Sequence, residues 1–349
     1  MSRAGPARRS WLAALVALSA LALATCATRG GAPLEPPQPP ELARIDAIHD
    51  SLGAPPPGTV WAGAAKVDIT PEGPAYLAGF SPGRRSTGVH DPLYARCTFV
   101  DDGVTPLVLV VLDLVGFLHH DVVATRERIT ARFPASVIVA STHVHAAPDT
   151  LGLWGPGWLV PVGSGIDPAY VERVRRGAAE CAVTAARTAR PAVAELARTQ
   201  APAELSINVH EEERPATATL KDDEVTVLRW RDASGAGIAT IVSWACHPEA
   251  LGRDNTLVTA DYPGVLNREL EARFGGTAML VNGALGGLVT VRAPKDGPEG
   301  FALAEHVGVT LADVVAGALR PADATTWARS GERFAAVSHE SRVPFDNGW

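Results

Sequence analysis

Hydrophobic positions along this chain fall into two alternating rhythms. Residues 106–114 (PLVLVVLDL), 136–141 (SVIVAS) and 238–245 (IATIVSWA) are near-continuous apolar runs. Such runs suit strands covered on both faces. Residues 62–69, 193–200, 224–230 and 277–282 read as further strands, and 327–337 as a last strand or strand pair. Helical spacing runs over 119–133, 168–189, 263–274 and 301–319, with a short stretch at 42–52. Asp167 stands at an N-cap with Pro168 in the first position. Gly275 and Gly276 close the third of the longer helices, and Pro321 follows the fourth. The mixed order predicts an α/β fold, a mixed layered β-sheet core flanked by helices.

The first residues break this rhythm. Arg3, Arg8 and Arg9 precede an apolar run, 11–24, that is too short to span a bilayer well. The run ends in Leu23-Ala24-Thr25-Cys26, similar to a bacterial lipobox. The expectation is a lipoprotein signal over 1–25, with Cys26 as the lipidated residue, or else plain cleavage nearby. Residues 30–40 (GGAPLEPPQPP) favour extended polyproline II, a semi-rigid spacer. The expected division is therefore a signal at 1–25, a Pro-rich tether at 26–59 and a catalytic domain at 60–349. The protein is expected to be exported and held at a membrane surface by its lipid, or secreted. The last apolar segment, before Trp349, reads as a cut rather than a natural terminus.

Composition changes this picture little. The 349 residues are 46% hydrophobic and 20% charged, as in ordinary globular proteins. A net charge of -7 argues against a nucleic-acid partner. Cys97, Cys181 and Cys246 lie in apolar stretches, which favours buried thiols over one disulfide and a spare.

Candidate chemistry collects where strands end, the usual place for ligands in open α/β sheets. His143 and His145 follow the strand at 136–141. In extended chain, residues two apart face the same way, so both rings would share one site. Neutral imidazoles there suit zinc, or one ring ligates and the other handles protons. His247 ends the strand at 238–245 and offers a further ligand. Asp261 precedes Pro263 and a helix, so it is either an N-cap or a carboxylate that orients a ligating imidazole. Residues 281–290 (VNGALGGLVT) run from a strand into a glycine-rich turn that lets backbone amides approach a substrate oxygen, with Asn282 and Gly283 as candidate contacts. The residues by themselves point to a metallohydrolase without naming its substrate.

The order of these segments resembles the catalytic domain of neutral/alkaline ceramidases. The resemblance runs through 62–71 (AGAAKVDITP), 88–96 (GVHDPLYAR), 142–149 (THVHAAPD), 246–248 (CHP), 260–264 (ADYPG) and 282–284 (NGA). It implies a zinc enzyme that cleaves the amide of ceramide-like N-acyl sphingolipids, so the partners would be a lipid substrate and a membrane surface. His143 and His247 match metal ligands. His145 matches a catalytic histidine that steadies or protonates the reacting amide, with Asp261 in support. A Glu and a Tyr ligand are implied further along than Trp349. Residues 286–290 (GGLVT) stand where the family reads closer to Gly-Asp-Val-Ser-Pro, and the resemblance implies Thr290 as the stand-in for that Ser in contacting substrate. The competing expectation is a non-catalytic lipid- or glycan-binding lipoprotein on a degenerate fold of this kind.

Overall fold

The computed structural model describes residues 52–104, 106–156, 163–209, 221–285 and 289–320, and the backbone of 325–327. Cys26, the signal, most of the tether and all but the last residue of the helix expected at 42–52 lie outside the described residues, as do Gly286, Gly287 and Leu288. In chain order the strands are β1 (Val60–Asp68), β2 (Gly88–Val89), β3 (Tyr94–Asp101), β4 (Leu107–Leu112), β5 (Ser136–Ser141), β6 (Arg190–Gln200), β7 (Ser206–Asn208), β8 (Glu224–Asp232), β9 (Gly237–Trp244), β10 (Leu257–Val258), β11 (Thr277–Asn282), β12 (Val289–Val291) and β13 (Thr325–Trp327). The helices are α1 (His119–Thr130), α2 (Pro168–Arg187), α3 (Asp261–Phe274) and α4 (Gly297–Ala318). Every strand and helix expected within the described residues is present. The exception is 327–337, of which only its first residue, Trp327, falls in the described β13.

Eight strands form one mixed sheet in the order β11-β9-β8-β6-β1-β3-β4-β5, and β13 also pairs with β6. The β4–β5 and β9–β11 pairs are parallel, and the pairs between them are antiparallel. Although β5 and β11 stand at opposite ends of that order, they meet. Asn282 at the end of β11 donates to the Thr142 carbonyl just past β5. Arg96 on β3 reaches the Ala278 carbonyl on β11 at 3.1 Å. The sheet therefore folds over on itself into two layers.

Each layer carries its own helices. One core joins β1, β3 and β4 to α1 and α2 through Phe99, Leu112, Ile129, Val174 and Ala182. The other joins β8, β9 and β11 to α3 and α4 through Val227, Trp244, Leu266, Leu280 and Leu311. Dense apolar packing of this kind supplies most of the favourable free energy of folding. Asp167 caps α2 by accepting the Ala169 amide at 2.8 Å. Gly275 ends α3 with φ +71°, where a side chain would be strained.

Two local expectations are corrected. The strand at 136–141 is not covered on both faces: β5 is an edge strand and Ile138 is exposed. In contrast β3, which the apolar pattern passes over, is buried along nearly its whole length. Arg96 and Thr98 are covered because they find partners in the opposite layer, and Asp101 accepts the Gly103 amide at 2.8 Å. The thiols of Cys97, Cys181 and Cys246 are free and buried, as their apolar surroundings suggested.

Candidate metal and catalytic site

The chain keeps following β4 after β5 ends. The amides of Thr142 and His143 donate to the carbonyls of Leu112 and Leu114, both at 2.9 Å. His143 then takes φ +67°, a left-handed conformation uncommon for a residue with a side chain. The two histidines are therefore not neighbours on an extended strand, as their spacing suggested. The backbone turns between them, and the rings still converge.

His143 donates through Nδ1 to the Val115 carbonyl at 2.6 Å. His247 does the same to the Val289 carbonyl at 2.7 Å, and its own amide holds that carbonyl at 2.9 Å. A carbonyl has no proton to give, so in both rings Nδ1 carries the hydrogen. Each neutral ring then presents an Nε2 lone pair to the site. Nε2 of His143 and Nε2 of His145 are 3.3 Å apart. The ligand atoms of His143, His145 and His247 all lie within 4.8 Å of one another. Burial pushes the His143 pKa below the ordinary imidazole value, the neighbouring rings push it the same way, and the Val115 carbonyl opposes them. The neutral ring is the form that binds a metal.

This donor set fits a zinc-like cation. Zinc takes imidazole nitrogen at about 2.0–2.1 Å, and its ligating histidines characteristically donate their other nitrogen to a carbonyl or carboxylate. His143 and His247 already have that second bond.

The remaining candidates act around the rings rather than in them. Asn282 ties the two ring-bearing segments together, donating to the Thr142 carbonyl and accepting the Cys246 amide at 3.5 Å. Gly283 lies against Ala245, where a Cβ would approach to 3.1 Å. Asp261 neither caps α3 with its side chain in the expected way nor orients an imidazole. It opens the helix at φ +52° and accepts the amides of Ala250, Leu251 and Tyr262 at 3.3, 3.2 and 2.6 Å. Those bonds brace the loop that leads away from His247. Burial raises the Asp261 pKa to about 6 against the pull of the three amides. Tyr262 completes the brace by donating its hydroxyl to the Cys246 carbonyl at 2.8 Å.

Thr290 is not free to meet a substrate through its hydroxyl, which donates to Oε2 of Glu249 at 2.7 Å. Glu249 is the residue that the sequence reading missed. Its other oxygen, Oε1, lies 2.7 Å from Nδ1 of His145. The Glu249 amide donates to the His247 carbonyl at 2.9 Å, a tight turn at Pro248 that folds the carboxylate back over the site. Burial alone would raise the Glu249 pKa, but His145, the Thr290 hydroxyl and His247 bring it down to about 2. Its one signal in the sequence is a carboxylate two residues past a candidate ligand.

His145 also depends on an absent side chain. Gly79 has φ +103°, and a Cβ there would lie 2.5 Å from the His145 Cβ. Arg84 fixes the same two segments, donating to the carbonyls of Ala78 and His145, both at 2.5 Å. Gly79→Ala is therefore expected to cost about 1–2 kcal/mol in backbone strain and to move the His145 ring out of the cluster. Thermal unfolding and metal titration of the variant test this; parental values in both would show that the gap is not required.

The family profile described as neutral/alkaline non-lysosomal ceramidase, N-terminal, matches residues 61–284. That span includes all three rings and Glu249. The chain belongs to this family. Two solved structures share its fold. One is the neutral ceramidase from Pseudomonas aeruginosa, with TM-score 0.65 and 19% identity over 74% of this chain and 44% of that one. The other is a ceramidase complexed with C2, with TM-score 0.65 and 19% identity over 74% of this chain and 43% of its own. The chain thus spans less than half the length of these ceramidases. No curated protein matches it. The fold expected from the ceramidase resemblance is the fold observed.

Proposed function

We propose that the protein hydrolyses the amide bond of ceramide-like N-acyl lipids, with zinc held by His143 and His247 and with His145 beside it. The observation that carries this reading is the convergence of three imidazoles inside the segment that matches the ceramidase family. Zinc in such a site supplies Lewis acidity to a carbonyl and activates water as a nucleophile. The chain's own residues do the rest. Val115 and Val289 hold two rings with Nε2 inward. His145 faces the same space and handles the proton that the departing amine needs. Water is consumed, the C–N bond breaks, and the proton that water loses ends on the amine. Export with a lipid on Cys26 is part of the same proposal, since it would keep the domain next to a lipid substrate.

The test uses the full chain with a short-chain fluorescent N-acylsphingosine. Fatty acid release should require metal, disappear with a chelator and return with zinc. No release by zinc-replete protein, or release indifferent to chelator, would overturn the proposal.

A further inference from the structure

His143 and His247 are each anchored through Nδ1 to a backbone carbonyl. His145 has no such anchor. Glu249 lies beside its Nδ1 without the alignment of a hydrogen bond, and its Nε2 meets another ring, His143, at 3.3 Å. What ties His145 to the frame of the protein is its backbone. The Arg84 guanidinium donates through Nη2 to the carbonyls of His145 and Ala78, and through Nη1 to the Asn255 carbonyl at 2.8 Å. The same guanidinium lies over the Phe80 ring, 5.2 Å from its centre, and Phe80 meets the His145 ring edge-on at 5.5 Å. Arg84 thus acts on both ends of His145, on the carbonyl directly and on the ring through Phe80.

We infer that Arg84 is the positioning residue for His145. Its own main chain is pinned, because its carbonyl accepts the Leu77 amide at 2.8 Å and Arg85 forms a backbone bridge with Tyr76. The turn that carries Phe80 therefore also aims the guanidinium. None of the hydrogen bonds of Arg84 among the described residues goes to a carboxylate; they go to three carbonyls on three separate segments. Burial lowers its pKa to about 10, which leaves it charged at neutral pH. A charged, planar fork can hold three carbonyls in one arrangement, which an ammonium on a flexible stem cannot. Without the fork, the His145 carbonyl and the Phe80 ring are released together. The His145 ring then gains room to swing, while His143 and His247 keep their anchors. A proton donor that swings loses rate rather than affinity, because orientation counts most in the transition state. The inference rests on the amidase reading for what His145 does, but not for what holds it in place.

The experiment follows the histidine rings by NMR in the full chain, metal-free, with 15N-labelled histidine. Signals are assigned by their loss in His143→Ala, His145→Ala and His247→Ala. In the parent, each of the three rings should give one sharp set. In Arg84→Met, which keeps most of the apolar stem, the His145 signals should broaden or split while those of His143 and His247 stay sharp. Arg84→Lys keeps the charge without the fork and should behave like Arg84→Met. Sharp His145 signals in either variant overturn the inference, and so does broadening of all three rings together, which would mean general loosening. With zinc and the fluorescent substrate, both variants should lower kcat about 100-fold with little change in KM. Parental kcat in a variant whose parent is active overturns the inference and leaves the amidase reading intact. If no form of the protein hydrolyses the substrate but the ring signals behave as stated, the role of Arg84 in placing His145 stands and the amidase reading alone fails.

Discussion

Replacing His247 by alanine is expected to abolish tight metal uptake and to lower amide hydrolysis about a thousandfold. A metal acting as Lewis acid is worth several kcal/mol in the transition state, and about 4 kcal/mol corresponds to about a thousandfold in rate. The loss should be that large because His247 is one of the two rings proposed to hold the metal, each by its Nε2, and one imidazole alone does not hold zinc tightly. His143→Ala should behave alike. It removes a ring of the same tautomer, held by a carbonyl in the same manner. Competition against a chromophoric chelator measures the first effect, and fatty acid release measures the second. A variant that unfolds at the parental temperature and still takes up one equivalent of zinc tightly would remove His247 from the ligand set.

The second large effect concerns stability. Arg96 is almost wholly buried between the layers. It donates to Glu271 at 2.5 Å and to the Ala278 carbonyl at 3.1 Å, and its Nε lies 3.9 Å from the Asp113 carboxylate. Removing one partner of a buried ion pair typically costs about 3–5 kcal/mol, because the other charge is left without compensation. Arg96→Ala should cost that much. It should also change how stability depends on pH. Burial has already raised the Asp113 pKa to about 6, with Arg96 and the Tyr94 amide holding it down. A folded-state pKa above the unfolded value of 3.8 means that the folded protein keeps its proton longer. Asp113 therefore favours folding below about pH 4, and that contribution is lost as pH rises through 6. Without Arg96 the pKa moves higher and the loss deepens. Urea unfolding from pH 4 to 8 should show Arg96→Ala closer to the parent at pH 4 than at pH 8. A constant difference across that range would mean that Asp113 does not sense the guanidinium.

Arg96 also shows why part of the fold was hidden in the sequence. Runs such as 106–114 and 238–245 announce their strands because their cover is apolar on both sides. Tyr94–Asp101 is as deeply buried, yet it contains Arg96, Thr98 and Asp101. The partners of Arg96 and Thr98 lie far off in sequence, and no local pattern can name Glu271 as the group that makes a buried arginine tolerable. The site divides in the same way. His143, His145 and His247 could be read as a set because strand ends converge in this class of fold. Asp261 could be marked as important, but whether it served an imidazole or a loop depended on a turn at residues 247–251. Glu249 has meaning only when His145 and Thr290 stand on either side of it. The spacing rule brought His143 and His145 together for a reason that the left-handed turn at His143 replaces.

The meeting of β5 and β11 at Asn282 has a consequence for folding kinetics. Two rings come from the layer that β5 edges, and the third comes from the end of β9 in the other layer. Neither layer contains the cluster by itself. A polypeptide that has formed only one layer lacks part of the proposed metal site, so capture of zinc would come after the layers close, as one of the last steps of assembly. Zinc bound there, as proposed, would act as a latch across the fold: at about a hundred times its Kd it would add about 2.7 kcal/mol to global stability. Its removal should speed separation of the layers while leaving each helix-backed sheet largely intact.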